Sequence, residues 1–327
     1  AELLHLKFVE TDRDIPQYGI PHLVFYTGNF SAAGAQKILR QAESKDIILL
    51  ENLRFWPGEE SNDPVFAKKL ASLADIYVND AFSVDHRAAA SVVGVTHYLD
   101  AYCGPLLERE IKGLDEVLHK SRKPFVLLMG GIKISDKVAT IRHLGEKADK
   151  ILLGGGLANL FYLAKDYEIG LSTVEREAVK TAWELEKNFK SKLLLPADVV
   201  VANKQLDKAS IRVCEPFAVG KQEIILDAGP KTILSFAQEL KSAKTIVWNG
   251  PLGLFERKPF DTATMALARV IGGVASRKAY AAVGGGETVD AVRLSHQFEH
   301  MDHVSTGGGA MLEYLAGKKL PGIEALK

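Results

Sequence analysis

The chain has 327 residues, enough for two domains with full cores. Its 41 basic residues balance 41 acidic ones, which excludes a global positive field for nucleic acid or an anionic membrane, so an anionic ligand must be held by local groups. Cys103 and Cys214 stand far apart with no CxxC spacing, which argues against a disulfide framework and suits a reducing, cytoplasmic setting, and no apolar run is long enough to cross a bilayer.

In chain order, Ala1–Leu6 reads as the tail of an amphipathic helix with no cap before it, and Lys7–Glu10 as a strand. Residue 1 is therefore expected to lie inside a longer natural domain. Strands are predicted at Asp46–Leu50, Asp75–Asn79, Pro124–Met129, Lys150–Leu153, Ala197–Val201, Lys244–Trp248 and Ala279–Val283. Helical patterns fall between them at Val65–Leu73, Ser135–Leu144, Val174–Asn188, Pro230–Leu240 and Thr262–Gly272. Such alternation predicts mostly parallel sheets covered by helices, with ligands at the carboxyl ends of the strands. Near Gly104 a helix opens on Pro105 and carries Leu106, Glu110, Leu114 and Leu118 at helical spacing. It reads as a connector, residues 104–120, between an N-terminal domain, 1–103, and a C-terminal domain, 121–327, whose last residues are expected to return toward the N-terminal domain.

Ala279–Thr288 (Ala-Tyr-Ala-Ala-Val-Gly-Gly-Gly-Glu-Thr) is a buried strand that breaks through glycines into a helix start. Bare amides beside the positive end of a helix dipole bind phosphate. The device recurs at Ile151–Gly156 and, more loosely, at Ser305–Gly309; any one triplet also suits a tight turn with no ligand. No GxxxxGK[ST] occurs, and no GxGxxG, so a P-loop enzyme and a dinucleotide oxidoreductase both lose their main sequence support. Trp248–Glu256 forms a rigid loop in which Asn249 offers an amide and Glu256 an acceptor for ribose hydroxyls, or a structural turn. In Gly130–Lys137, Lys133 and Lys137 are four apart, so a helix there puts both on one side, facing one anion. Two lysines at a helix start oppose the dipole unless a bound phosphate offsets them. Arg54 and Arg87 follow two predicted strands and suit a carboxylate or phosphate, although each alone also suits a salt bridge. His296, His300 and His303 have a spacing compatible with zinc but no neighbouring cysteine to complete a site.

These motifs, Leu49–Phe55, Asn79–Arg87, Gly130–Lys137, Gly154–Gly156, Leu226–Thr232, Trp248–Glu256, Gly284–Thr288 and Ser305–Gly309, occur in the order seen in phosphoglycerate kinases, and the resemblance runs to Leu320–Leu326. It implies an α/β protein of two Rossmann-like domains with mostly parallel sheets joined by a helix around a cleft, here with the N-terminal domain incomplete. The implied activity is reversible phosphoryl transfer between 1,3-bisphosphoglycerate and Mg-ADP, giving 3-phosphoglycerate and Mg-ATP in a cytoplasmic monomer. By resemblance Arg54 and Arg87 hold the phosphoglycerate phosphate, and Lys133 and Lys137 lie against the nucleotide phosphates. Gly154, Gly155, Gly156 and Gly229 shape the adenosine pocket; Asn249, Pro251 and Glu256 lie near the nucleoside. Gly285, Gly286, Glu287 and Thr288 receive the phosphates and Mg2+, with Lys137 and Gly286 at the group in flight. Phosphoryl transfer asks chiefly for positioning and fixed positive potential, which glycine amides, helix ends and lysine supply.

The sequence departs from that pattern in three places. The family's Asp-Phe-Asn-Val-Pro and Ser-His-Leu-Gly-Arg-Pro stretches and its early arginine do not occur, Glu287 stands where the family usually has Asp, and Met311 replaces a small serine. The 327 residues are accordingly expected to be a truncated, nearly inactive chain, with a non-catalytic nucleotide-binding remnant as the alternative.

Overall fold

The computed structural model describes residues 8–9, 23–26 and 46–326; the helix tail read at Ala1–Leu6 lies outside them, and of the Lys7–Glu10 strand only Phe8–Val9 is described. The chain packs as two units, one of Ala1–Asp80, Arg87–Gly104 and Pro321–Lys327, the other of Ala81–His86 and Pro105–Leu320. The helix that reads as a connector packs with the second unit.

In the first unit β1 (Phe8–Val9), β2 (Leu23–Tyr26) and β3 (Ile47–Leu50) pair in parallel in that order. After them come α1 (Pro57–Glu60), α2 (Pro64–Ala71), β4 (Ile76–Asn79) and β5 (Asp100–Cys103), the last two forming a separate parallel pair. Helix α2 starts where it does because Pro64 suits its first turn and Asp63 accepts from the Phe66 amide at 2.7 Å. Its apolar face buries Phe66, Ala67 and Leu70 against Ala90 and Val95, with Trp56 stacked on Phe66.

The second unit runs α3 (Pro105–Lys120), β6 (Phe125–Met129), α4 (Val138–Lys147), β7 (Lys150–Leu153), α5 (Gly155–Ala164), α6 (Val179–Phe189) and β8 (Leu193–Leu194). It continues through β9 (Val199–Asn203), β10 (Arg212–Cys214), β11 (Glu223–Ala228), α7 (Pro230–Ser242), β12 (Thr245–Asn249) and α8 (Thr262–Ala275). The last elements are β13 (Tyr280–Gly284), α9 (Gly286–Leu294), β14 (His303–Val304) and α10 (Gly308–Leu315). Six strands form one parallel sheet in the order β14-β13-β12-β6-β7-β8. All residues of β6 and β12 are buried, as expected for strands covered on both faces. One face packs Phe236 and Leu240 of α7 and Leu267 and Ile271 of α8 against Val126, Leu128 and Trp248.

The chain leaves β6 toward β7 and β8, then returns to β12 on the other side. The switch point of this doubly wound sheet therefore lies between β6 and β12, where open α/β sheets bind ligands. The expected strand Ala197–Val201 is corrected: it forms two residues later, as β9, and outside the parallel sheet. It pairs antiparallel with β10 and β11 in a second, three-stranded sheet. Alternation of strand and helix carries no information about which sheet a strand joins.

Candidate functional site

At the switch point the turns after β6, β7 and β12 are bound to each other by backbone. The Gly130 amide donates to Asn249 O (2.9 Å), Gly131 to Pro251 O (2.8 Å), Gly154 to Met129 O (2.9 Å), Gly155 to Leu252 O (3.1 Å) and Leu157 to Gly131 O (2.7 Å). Gly155 has φ +62°, and a Cβ there would stand 2.9 Å from Pro251 O and 3.0 Å from Gly131 N, so the packing requires glycine. The bare-amide reading is thus corrected for Gly154 and Gly155; the Gly229 amide likewise donates to a neighbouring loop, to Asp198 O at 2.9 Å. These amides hold the loops together.

The turn after β13 differs. Gly285 has φ +93° and precedes α9, and among the described residues no acceptor outside the helix meets the amides of Gly286, Glu287 and Thr288. Gly308, at the start of α10, lies beside it; a Cβ there would be 3.3 Å from Gly285 Cα. Two helix N-termini therefore lie side by side, a setting for anionic oxygens. Thr288 and Asn249 sit beneath as cross-links: the Gly250 amide donates to Thr288 Oγ1 (2.7 Å), and Asn249 Nδ2 donates to Gly284 O (2.8 Å). Both side chains are buried.

Between these turns and the antiparallel sheet lies an open cavity of about 820 Å³. Gly155, Gly156, Pro251, Glu256 and Glu287 of the expected residues line it, whereas Gly154, Gly229, Asn249, Thr288, Gly285, Gly286, Lys133 and Lys137 do not. Its walls also include Asn159 and Tyr162 of α5, Val199 of β9, Leu226 and Asp227 of β11, and Leu252 and Leu254 of the β12 loop. Leu226 and Asp227 fall in the Leu226–Thr232 motif and Leu252 and Leu254 in the Trp248–Glu256 motif, whereas no motif marks Asn159, Tyr162 or Val199. Asp227 is buried, which pushes its carboxyl up to about 7 even though the Ala228 and Ala263 amides donate to it.

Lys137 is 9% exposed, and its Nζ would lie 3.5 Å from a Cβ at Gly131, one of the cavity-lining residues. Burial lowers its pKa below the ordinary lysine value, against the opposing charges of Asp136, Glu287 and Glu175. No carboxylate among the described residues lies within ion-pair distance of it, so a partly desolvated cation borders the cavity. The expected helical pairing with Lys133 is corrected. Helix α4 begins only at Val138, with Lys137 as its cap residue, and Lys133 is exposed in the preceding turn. The amides of that turn are covered by a carboxylate, Glu175, which accepts from Ile134 N (2.9 Å) and Ser135 N (3.1 Å). Glu175 supplies the negative charge for which a phosphate is expected.

In the first unit Arg54 and Arg87 are both exposed. Arg54 lies on the 3₁₀ turn after β3, whose Asn52 side chain accepts from its amide at 3.1 Å. Arg87 follows β4, which among the described residues pairs only with β5 and not with β1–β3, so the described strands do not present the two from one sheet. His303 does not stand with His296 and His300 in a metal set; no such cluster of metal-ligating residues exists among the described residues. It is buried, 2.9 Å from Glu110 Oε2. Met311 is fully buried against Gly284, where a Cβ would collide with its sulfur. No helix among the described residues is long and apolar enough to cross a membrane.

The family model described as phosphoglycerate kinase matches residues 21–318. A phosphoglycerate kinase of Chloroflexus aggregans is 44% identical over 304 residues, covering 92% of this chain and 76% of that protein. One of Moorella thermoacetica is 47% identical over 286 residues, 86% of this chain and 72% of that protein. The solved phosphoglycerate kinase of Coxiella burnetii superposes with a TM-score of 0.78 at 39% identity, covering 94% of this chain and 77% of that one. The enzyme of Pyrococcus horikoshii OT3 gives 0.80 at 30% identity, over 94% and 78%.

Proposed function

The chain belongs to the phosphoglycerate kinase family, and from that premise we propose how its described residues serve the transfer. The reaction moves a phosphoryl group reversibly between 1,3-bisphosphoglycerate and ADP, giving 3-phosphoglycerate and ATP. A non-catalytic remnant is not favoured, since relatives matched over 92% and 91% of the chain are named as the kinase.

The cavity takes the nucleoside. Gly155 and Gly156 form one wall, Gly155 at a positive φ hard against the Pro251 and Gly131 backbone and Gly156 packed closely on Ile132, and Leu252 and Leu254 offer apolar surface to a base. Glu256 faces the ribose hydroxyls. The phosphates then run to the open N-termini of α9 and α10, where Gly285, Gly286 and Thr288 shape the turn. Lys137, with Lys133 on the same turn, supplies positive charge to the oxygens of the group in flight. Arg54 and Arg87 hold the phosphate of phosphoglycerate on the first unit.

Glu287 opens α9 at the cavity rim and is exposed. A single carboxylate beside phosphate-seeking amides fits Mg2+ carried by the nucleotide, for magnesium is commonly held by one or two carboxylates plus substrate phosphates. When bound, the ion neutralises phosphate charge; Glu287 is the residue that holds it, and Asn249 and Thr288 keep its turn in place. The monomer stands as the family resemblance implies it, and the free thiols Cys103 and Cys214 suit the cytoplasm.

The observation that carries this reading is the buried, unpaired Lys137 beside the cavity. Replacing Lys137 with Ala is expected to lower kcat about 10²- to 10³-fold in a coupled assay. Leu254→Asp should weaken ADP binding about tenfold by calorimetry, by putting charge into an apolar wall. A Lys137→Ala enzyme with normal kcat refutes the assignment.

A further inference from the structure

Glu175 belongs to no motif and touches no part of the cavity wall, yet it is tied to the turn that carries both lysines. The turn is closed by Lys137 N and Val138 N, each donating to Ile134 O at 2.8 Å, which leaves the amides of Ile134 and Ser135 pointing backward as an uncapped N-terminus. One carboxylate oxygen of Glu175 takes both, at 2.9 and 3.1 Å. A cap supplied from 40 residues away in sequence is set by tertiary structure, so the position of the lysines depends on where residues 169–175 are held.

That segment is firmly held. Leu171 N donates to Glu223 O at 2.8 Å, and Ile225 N donates to Ser172 Oγ at 2.9 Å, fastening it to β11. Gly170, at φ +56°, lies so close to Glu223 O that no side chain fits. Asn159 Nδ2 donates to Thr173 O at 3.3 Å, and Asn159 and Thr173 both line the cavity. The segment thus runs from the cavity wall to the lysine turn without a loose step.

We propose that Glu175 is a positioning residue for phosphoryl transfer: through the Ile134 and Ser135 amides it fixes the turn that places Lys137 at the transferring group. This rests on the assignment of Lys137 given above. Hydrogen bonds from the Ser135 side chain and backbone and from Ile134 keep the Glu175 carboxyl below its ordinary range, so the cap is charged at neutral pH. Its charge also accounts for two lysines tolerated at the amide end of a turn.

The test is steady-state kinetics of Glu175→Ala and Glu175→Gln beside Lys137→Ala, with amide exchange at Ile134 and Ser135 as a second readout. Misplacing the cation without removing the nucleotide's contacts should lower kcat of Glu175→Ala about ten- to a hundredfold and leave KM for ADP within about threefold. Glu175→Gln, which keeps an acceptor oxygen, should fall between it and the parent, and exchange at the two amides should quicken in Glu175→Ala. Normal kcat in Glu175→Ala, or a rise in KM at constant kcat, overturns the proposal. If Lys137→Ala is itself fully active, the assignment of Lys137 has failed instead, so the two failures are told apart.

Discussion

The turns after β7 and β13 carry the same three letters and do different things. At Gly154–Gly156 the amides of Gly154 and Gly155 are consumed by neighbouring loops, and a Cβ would stand within about 3 Å of the Leu252 side chain at Gly154 and of the Pro251 and Gly131 backbone at Gly155. At Gly284–Gly286 the packing ends before the helix starts: Gly284 is pressed against Met311, but a Cβ on Gly286 would meet nothing within 4 Å, and among the described residues the first-turn amides of α9 meet no acceptor outside the helix. The third turn, Ser305–Gly309, is tied at its base, for Glu110 accepts from both the amide and the hydroxyl of Thr306 at 2.6 and 2.8 Å. Glycine thus serves close packing in the first case and ligand access in the second. Only the tertiary surroundings separate them.

That contrast can be broken most forcefully at Gly155. Gly155→Val is expected to cost about 4 kcal/mol in urea unfolding, from positive φ and collision with the Pro251 backbone. A loss under about 1 kcal/mol would mean the loops are not locked as described.

Glu110 comes next. Glu110→Ala should cost about 3 kcal/mol, because His303 and Thr306 lose a buried charged partner. The parent should also show the linkage in acid. Burial raises the Glu110 pKa, but hydrogen bonds from His303 and Thr306 outweigh it and leave it lowered. A depressed carboxylate stabilises the fold above its unfolded value near 4.5, and that contribution is lost as pH falls through the lower folded value. Glu110→Gln should therefore flatten the loss of stability below pH 4.5, read by thermal unfolding across the acid range.

At the open turn effects on stability should be small. Gly286→Ala is expected to change unfolding free energy by less than about 0.5 kcal/mol, since the added methyl meets nothing; a large loss would erase the difference between the two turns. The mildest change is Glu287→Asp, an exposed residue, expected to leave stability within about 0.5 kcal/mol while shifting the Mg2+ concentration for half-maximal rate. An unchanged magnesium dependence would remove Glu287 from the metal's surroundings.

Much of this was legible in the letters. Seven of the eight predicted strands fall within a residue or two of their place in the parallel sheets, because runs such as Phe125–Met129 and Thr245–Asn249 bury both faces and need no distant partner to be recognised. The glycine turns and Lys137 could be named for the same reason: their chemistry is local. Asn159, Tyr162 and Val199 could not, since they belong to a cavity wall only after α5 and the antiparallel sheet come together. Nor could Glu175, whose partners lie about 40 residues away in sequence.

By itself the sequence determined the class of fold, the parallel strand runs and the kind of ligand the turns could serve, because periodicity and glycine are properties of neighbours along the chain. Tertiary structure alone decided which amides remain open, which carboxylate caps the lysine turn and which sheet Val199–Asn203 joins. Each of those depends on groups that are far apart in the chain and meet only on folding, when every buried N–H must find an acceptor.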